Sequence, residues 1–320
     1  MARHILLLGG SGFVGSAVLR EFLAEEPDTR LSLLVHRRKP GIDAARLRLV
    51  HGSLRDFDLN QITRDPPTHV VHMARLPGRS PWRRTLAGRR GARANIRLLQ
   101  TLRRLAHPPR VLYVSGSLMY GNRGEEWVDE QTPLQPTSFA RAYIRGERPL
   151  LQSQARSDLP VMMVRPPWIL GAGSWFATFY AAPMARQRSV PCYGSGRNWM
   201  SLLHVEDCAR LIRHVTLHGE AGQSYNLTLP PLRQQDFCGL LSELTGMPVE
   251  ERPLTTLGRP LDRSLVEAFG SSIRLRSRHH AFLDRCALRF GNPRAAIADV
   301  IARFEDIKPI LPEAPERRAR

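Results

Sequence analysis

Short, mostly apolar runs alternate with longer stretches of helical periodicity through the first half of the chain. Ile5-Leu6-Leu7-Leu8 opens the series, and residues 31–35, 47–50, 69–72, 110–115 and 161–165 continue it. Each run is too short for a helix, and apart from Arg48 in the third they show little of the apolar–polar alternation of a strand with one wet face. Each is therefore predicted to be a strand covered on both sides. Residues 13–24 carry an apolar stripe at Phe13, Val14, Ala17, Val18 and Phe22, the spacing of a helix with one buried face. Residues 95–106 and 137–156 read as further helices. Strands and helices in strict alternation imply a parallel sheet with helices on both faces, a doubly wound α/β fold.

The pattern loosens after Pro166. Helices are predicted over 174–188, 205–218, 233–245, 260–272, 281–290 and 293–304, with one more strand over 224–227. The expected organisation is a nucleotide-binding domain of the Rossmann type over 1–165. A smaller mixed substrate lobe follows over 166–308, partly interleaved with the sheet, and then a loose tail over 309–320.

The link between the first strand and first helix reads Gly9-Gly10-Ser11-Gly12-Phe13-Val14-Gly15. Gly9 permits a sharp turn out of the strand. Gly12 removes a side chain where backbone must approach a pyrophosphate, and Gly15 lets the helix sit close to the sheet. The N–H groups at the helix start then face the phosphates. The second strand runs into Arg37 and Arg38, where an acidic residue would suit the adenosine ribose of NAD(H). A guanidinium fork suits the 2′-phosphate instead, so NADP(H) is expected over NAD(H), with Arg37 the first contact and Arg38 the second.

Charge adds little to this picture. The formal net charge is +18, and Lys39 and Lys308 are the only lysines, so the excess is arginine spread in short pairs. No basic run with interleaved aromatics appears, which argues against a nucleic-acid partner. An acidic substrate or a phosphorylated cofactor fits the charge. No apolar stretch approaches the roughly 18 residues of a membrane span. The scattered Cys192, Cys208, Cys238 and Cys286 suit reduced thiols in the cytoplasm, and no metal-ligand spacing appears.

From Met1 to about Phe304 the chain resembles the extended short-chain dehydrogenase/reductase family, which includes NAD-dependent epimerases and dehydratases. The G-x-x-G-x-x-G loop is that family's. Gly52-Ser53-Leu54-Arg55-Asp56 resembles its adenine-side segment, with Ser53 in place of the usual Asp and Leu54 beside it. His72-Met73-Ala74 resembles the fourth-strand motif along the cofactor, and Ser115-Gly116-Ser117-Leu118-Met119-Tyr120-Gly121 the fifth. Arg165-Pro166-Pro167-Trp168 resembles the segment after strand six. Gly194-Ser195-Gly196 and His204-Val205-Glu206-Asp207 resemble its substrate-lobe motif. The resemblance implies cofactor contacts from Gly9, Ser11, Gly12, Phe13, Val14, Gly15, Met73, Ala74, Ser115, Tyr143 and Pro166. It also implies a homodimer.

The family's catalytic groups are a Ser or Thr, a Tyr, and a Lys four residues after the Tyr. On the motif register, Gly116 takes the Ser position, Phe139 the Tyr position and Tyr143 the Lys position. Pro136, Ser138 and Glu147 keep that register, and no lysine lies between Lys39 and Lys308. A phenyl ring cannot transfer a proton, and losing an acid–base group costs about 10²- to 10⁴-fold in rate. Tyr143 is then either a relocated acid or a filler of the lysine's space that bonds the ribose. Ser117 and Tyr120 are candidates to hold a substrate oxygen. Met200 stands where nucleotide-sugar members often carry an Arg, which argues against such a substrate. Trp168, Trp175, Trp199 and Met200 are expected either to line an apolar substrate pocket or to be core. The expected function is an unusual NADP(H)-dependent oxidoreductase or epimerase acting on a small, partly apolar molecule. A non-catalytic NADP(H)-bound sensor or structural protein, or a non-redox isomerase or cyclase, is the alternative.

Overall fold

The computed structural model describes residues 3–36, 41–42, 45–78, 80–258 and 263–307. Its centre is a seven-stranded parallel sheet. The strands are β1 (His4–Leu8), β2 (Arg30–Val35), β3 (Leu47–His51), β4 (His69–His72), β5 (Arg110–Val114), β6 (Val161–Arg165) and β7 (Ser224–Asn226). Their spatial order is β7-β6-β5-β4-β1-β2-β3. The chain reverses direction across the sheet between β1 and β4, which leaves a crevice beyond their carboxyl ends.

Alternation along the strands builds two cores. Ile5, Leu7, Leu31, Leu33, Leu112 and Met162 face one side, with Val18 and Phe22 of the helix Phe13–Glu25 and Ile212 and Val215 of Val205–His218. Leu6, Leu8, Val70, Val111 and Met163 face the other, with Leu98 and Leu102 of Pro81–Arg103 and Leu150 of Ile144–Arg156. All five residues of β1 are buried, as expected of a strand covered on both faces.

Two helices beside the sheet differ from expectation. The Pro81–Arg103 helix begins well before residue 95, with Pro81 at its first turn. Its early buried positions are Arg84, Ala87, Gly88, Gly91 and Ala94, one charged and the rest too small to print an apolar stripe on the sequence. Those glycines seat the helix: a Cβ on Gly88 would lie 2.0 Å from the Ala142 carbonyl oxygen. The helix expected over 137–156 divides into Ser138–Arg141 and Ile144–Arg156. At the join the Tyr143 N–H turns to the Ala140 carbonyl, 2.8 Å away and only three residues back. Beyond the sheet, the helices over 281–290 and 293–304 shorten to His280–Leu283 and Pro293–Ala302. The expected tail over 309–320 lies outside the described residues. No helix among the described residues is long and apolar enough to cross a membrane.

Candidate dinucleotide and substrate cleft

The crevice at the strand reversal opens into a cleft of about 1030 Å³. Gly9 leaves β1 with φ +90°, a left-handed turn that a side chain would strain. It also packs directly on the segment after β4, since a Cβ there would lie 2.7 Å from the Ala74 nitrogen. A Cβ on Gly15 would lie 2.1 Å from the Gly9 carbonyl oxygen, so the helix start is pressed onto the turn. Gly12 differs. It has ordinary extended backbone (φ −82°, ψ 178°), and a Cβ would meet only the Gly9 oxygen, at 3.3 Å. No side chain caps the Phe13–Glu25 helix and no acidic residue stands in its first turn. The amides of Phe13, Val14 and Gly15 therefore begin a helix whose positive end faces the cleft, a cradle suited to a diphosphate.

Most residues expected at the cofactor do line this cleft. Gly9, Ser11, Gly12, Phe13, Val14, Gly15, Met73, Ala74, Ser115, Tyr143 and Pro166 all border it, as do Gly116, Ser117, Phe139 and Trp168. Others are placed elsewhere. Leu54 is buried in the core below the sheet, and the Ser53 hydroxyl is held by the Asp56 carboxylate. Tyr120 is fully buried, its hydroxyl donating to Asn226 Oδ1 at 2.8 Å, so it has no access to a substrate. Trp175 packs into an aromatic cluster with Phe176, Tyr180, Phe237 and Phe269, behind Trp168. Trp199 lies between the Arg233 and Arg274 guanidiniums and donates its indole N–H to Glu125, while Met200 is core. Arg37 and Arg38 lie outside the described residues.

Residues 5–228 match the model of the NAD dependent epimerase/dehydratase family. The chain belongs to this family. A dTDP-glucose 4,6-dehydratase of Streptomyces niveus is 27% identical over 279 residues, covering 81% of this chain and 79% of the relative. A D-erythronate dehydrogenase of Cupriavidus necator is 32% identical over 195 residues, covering 55% and 60%. A solved structure of the human epimerase family protein SDR39U1 with NADPH superposes with a TM-score of 0.74 at 17% identity, covering 93% of this chain and 98% of that one.

Within this epimerase-family fold, the positions matched to catalytic residues do gather in the cleft, but with different side chains. A Cβ on Gly116 would touch nothing nearer than the Pro166 oxygen at 3.8 Å, so the fold has room for the side chain that the sequence lacks. The Phe139 and Tyr143 rings sit 5.6 Å apart. Among the cleft residues that the sequence reading did not propose are Arg75, Arg84, Tyr113, Glu147 and Leu265. Glu147 is fully buried and accepts from Ser115 Oγ at 2.6 Å and from Arg165 Nη2 at 3.4 Å. Burial raises its carboxyl pKa, and Arg165 and the Ser115 hydroxyl partly oppose that. Arg75 lays its guanidinium 4.3 Å from the centre of the Tyr143 ring. His204 and Asp207 hold loops: Asp207 accepts the Arg289 and Phe290 amides at 2.7 and 3.0 Å, and His204 lies 3.1 Å from Asp299.

Under the cleft, His72 is fully buried, with Nε2 2.8 Å from Asn95 Oδ1, and Asn95 donates to the Gly146 carbonyl at 2.8 Å. This chain ties β4 to both helices on that face. Burial pushes the His72 pKa down to about 4, the Asn95 contact opposing it. The neutral ring is therefore favoured in the fold. Its contribution is complete above the unfolded value of 6.5 and is lost as pH falls toward about 4. His72 alone is expected to cost about 2 kcal/mol of stability between pH 7 and pH 5. Urea unfolding at the two pH values measures it, and the loss should shrink in His72→Gln. An equal loss in both proteins would refute the assignment.

Proposed function

We propose that this protein binds NADP(H) in preference to NAD(H) and acts as an oxidoreductase or epimerase on a small, partly apolar molecule, without the standard Ser-Tyr-Lys set. The observation that carries the reading is the uncapped glycine cradle opening into the cleft. Phe13, Val14 and Gly15 would hold the diphosphate through backbone N–H groups, with Gly12 leaving room for its approach, and Met73, Ala74, Ser115 and Pro166 would flank the rest of the dinucleotide. When bound, the nicotinamide supplies a hydride donor or acceptor. Trp168, Leu118, Phe139 and Leu265 give the remaining space an apolar wall. Preference for the phosphorylated cofactor rests on the sequence, in which Arg37 and Arg38 follow the second strand.

Fluorescence titration tests this directly. NADPH is expected to bind at least about tenfold more tightly than NADH, a difference of ~1.4 kcal/mol, and Arg37→Ala should erase the gap. A large preference for NADH would overturn the cofactor assignment. NADPH oxidation across a panel of carbonyl compounds tests turnover. One observation favours a second reading, a cofactor-bound protein without redox turnover or a non-redox isomerase: the proton-transfer positions present a phenyl ring at Phe139 and no side chain at Gly116. Binding of NADPH without oxidation by any carbonyl compound would select it.

A further inference from the structure

The cleft sets two arginines beside its apolar wall. Arg75 and Arg84 both border it, and their guanidinium carbons lie 5.9 and 5.2 Å from the centre of the Phe139 ring. The two differ in what they do. Arg84 is almost fully buried and donates to Ser264 Oγ at 2.8 Å, so it is built into the wall. Arg75 is exposed and makes no ion pair among the described residues; it lies on the faces of Tyr143 and Phe139, and its charge also acts on the Tyr113 hydroxyl. The one carboxylate among the described lining residues, Glu147, is already engaged by Ser115 and Arg165.

A guanidinium laid on an aromatic face is positioned by the ring but keeps its in-plane N–H donors, which form a fork that matches a carboxylate or phosphate. Tyr143 thus orients Arg75 and leaves its edge free for a ligand. Tyr143 also occupies the position matched to the family's lysine, and the cation beside that position comes from the segment after β4.

We propose that Arg75 is the anion-binding group of this cleft and that the substrate carries a carboxylate or phosphate seated on its guanidinium. The proposal rests on the reading of the cleft as a substrate site beside a bound dinucleotide. The dinucleotide's own diphosphate offers the same chemistry, so the experiment separates the two sources.

Calorimetric binding of phenylacetate and of its neutral isostere phenylacetamide is measured on the full chain, with and without saturating NADPH. Wild type should bind the acid at least about tenfold more tightly than the amide. Arg75→Gln should bring the two within about twofold, and Arg75→Lys should keep an intermediate preference. Inorganic phosphate should compete with phenylacetate on wild type. NADPH affinity should move less than about threefold in both variants. Equal binding of acid and amide by wild type overturns the proposal, as does no binding of either phenylacetate or phosphate. An acid preference that survives Arg75→Gln, with NADPH weakened about tenfold, assigns the guanidinium to the cofactor and also overturns it. Failure of wild type to bind either nucleotide would sink the cofactor reading alone, because the acid–amide comparison on the nucleotide-free protein still decides the role of Arg75.

Discussion

Gly12→Ala is expected to leave the protein folded and to strip it of nucleotide affinity, whereas Gly15→Ala is expected to damage the fold itself. The two glycines are three residues apart in one loop, but the space around them differs. At Gly15 an added methyl would sit 2.1 Å from the Gly9 oxygen and 2.6 Å from the Gly10 Cα, both backbone atoms in a turn with no freedom to yield. Overpacking of that kind costs about 1–3 kcal/mol, and relief would require lifting the Phe13–Glu25 helix off the sheet. At Gly12 the single neighbour is 3.3 Å away, the backbone is already extended, and the position borders the cleft. The methyl then occupies the surface that a diphosphate must approach. A stability change under ~1 kcal/mol is expected for Gly12→Ala by thermal or urea unfolding. Its NADPH dissociation constant should rise at least about tenfold. Wild-type affinity in Gly12→Ala would remove the cradle as the cofactor site, and a fully stable Gly15→Ala would show that the turn is less tightly packed than the structure has it.

These glycines were legible in the sequence because their work is local: strand, turn and helix start lie within one short segment. The strands were legible for the same reason, since burial on both faces leaves unbroken apolar runs such as Ile5 to Leu8. What escaped depends on chain segments that meet only in the fold. Arg75 reads as one more arginine in an arginine-rich chain until Tyr143 is brought against it. Glu147 served as a marker of helix register, and nothing local shows that it reaches Ser115, just past β5, and Arg165 at the end of β6. The reverse error has the same origin. Tyr120, Trp199 and Met200 belong to motifs near the cleft, but nearness along the chain does not give the direction of a side chain. Tyr120 turns inward to Asn226, Trp199 turns out to Glu125, and Met200 enters the core. The early turns of the Pro81–Arg103 helix were hidden because close helix packing selected alanine and glycine rather than large apolar residues.

Arg165→Met is expected to be among the most destabilising single changes in the molecule. Arg165 closes β6 at 3% exposure, with its Nη2 3.4 Å from Glu147, and it also lies over the Tyr120 ring at 5.5 Å. Glu147 in turn accepts from Ser115, so one buried carboxylate joins the ends of β5 and β6 to the Ile144–Arg156 helix beneath the cleft. Such a pair adds little net stability when intact, because both charges have lost water. Removing one partner is different, since it strands the other, and costs about 3–5 kcal/mol. The pH dependence distinguishes this from simple loss of packing. Burial already raises the Glu147 pKa and Arg165 opposes the rise, so without the guanidinium it rises further. An acid whose folded pKa is raised contributes fully below its unfolded value and loses that contribution as pH climbs through the folded one. The gap between wild type and Arg165→Met should therefore be widest near neutrality and narrow on acidification. Comparing the two proteins at each pH cancels the opposite trend that His72 gives both. Adding Glu147→Leu to Arg165→Met should recover at least about half of the loss by removing the stranded carboxylate. A loss under ~1 kcal/mol, or a gap that widens as pH falls, would mean that the carboxylate does not depend on this arginine.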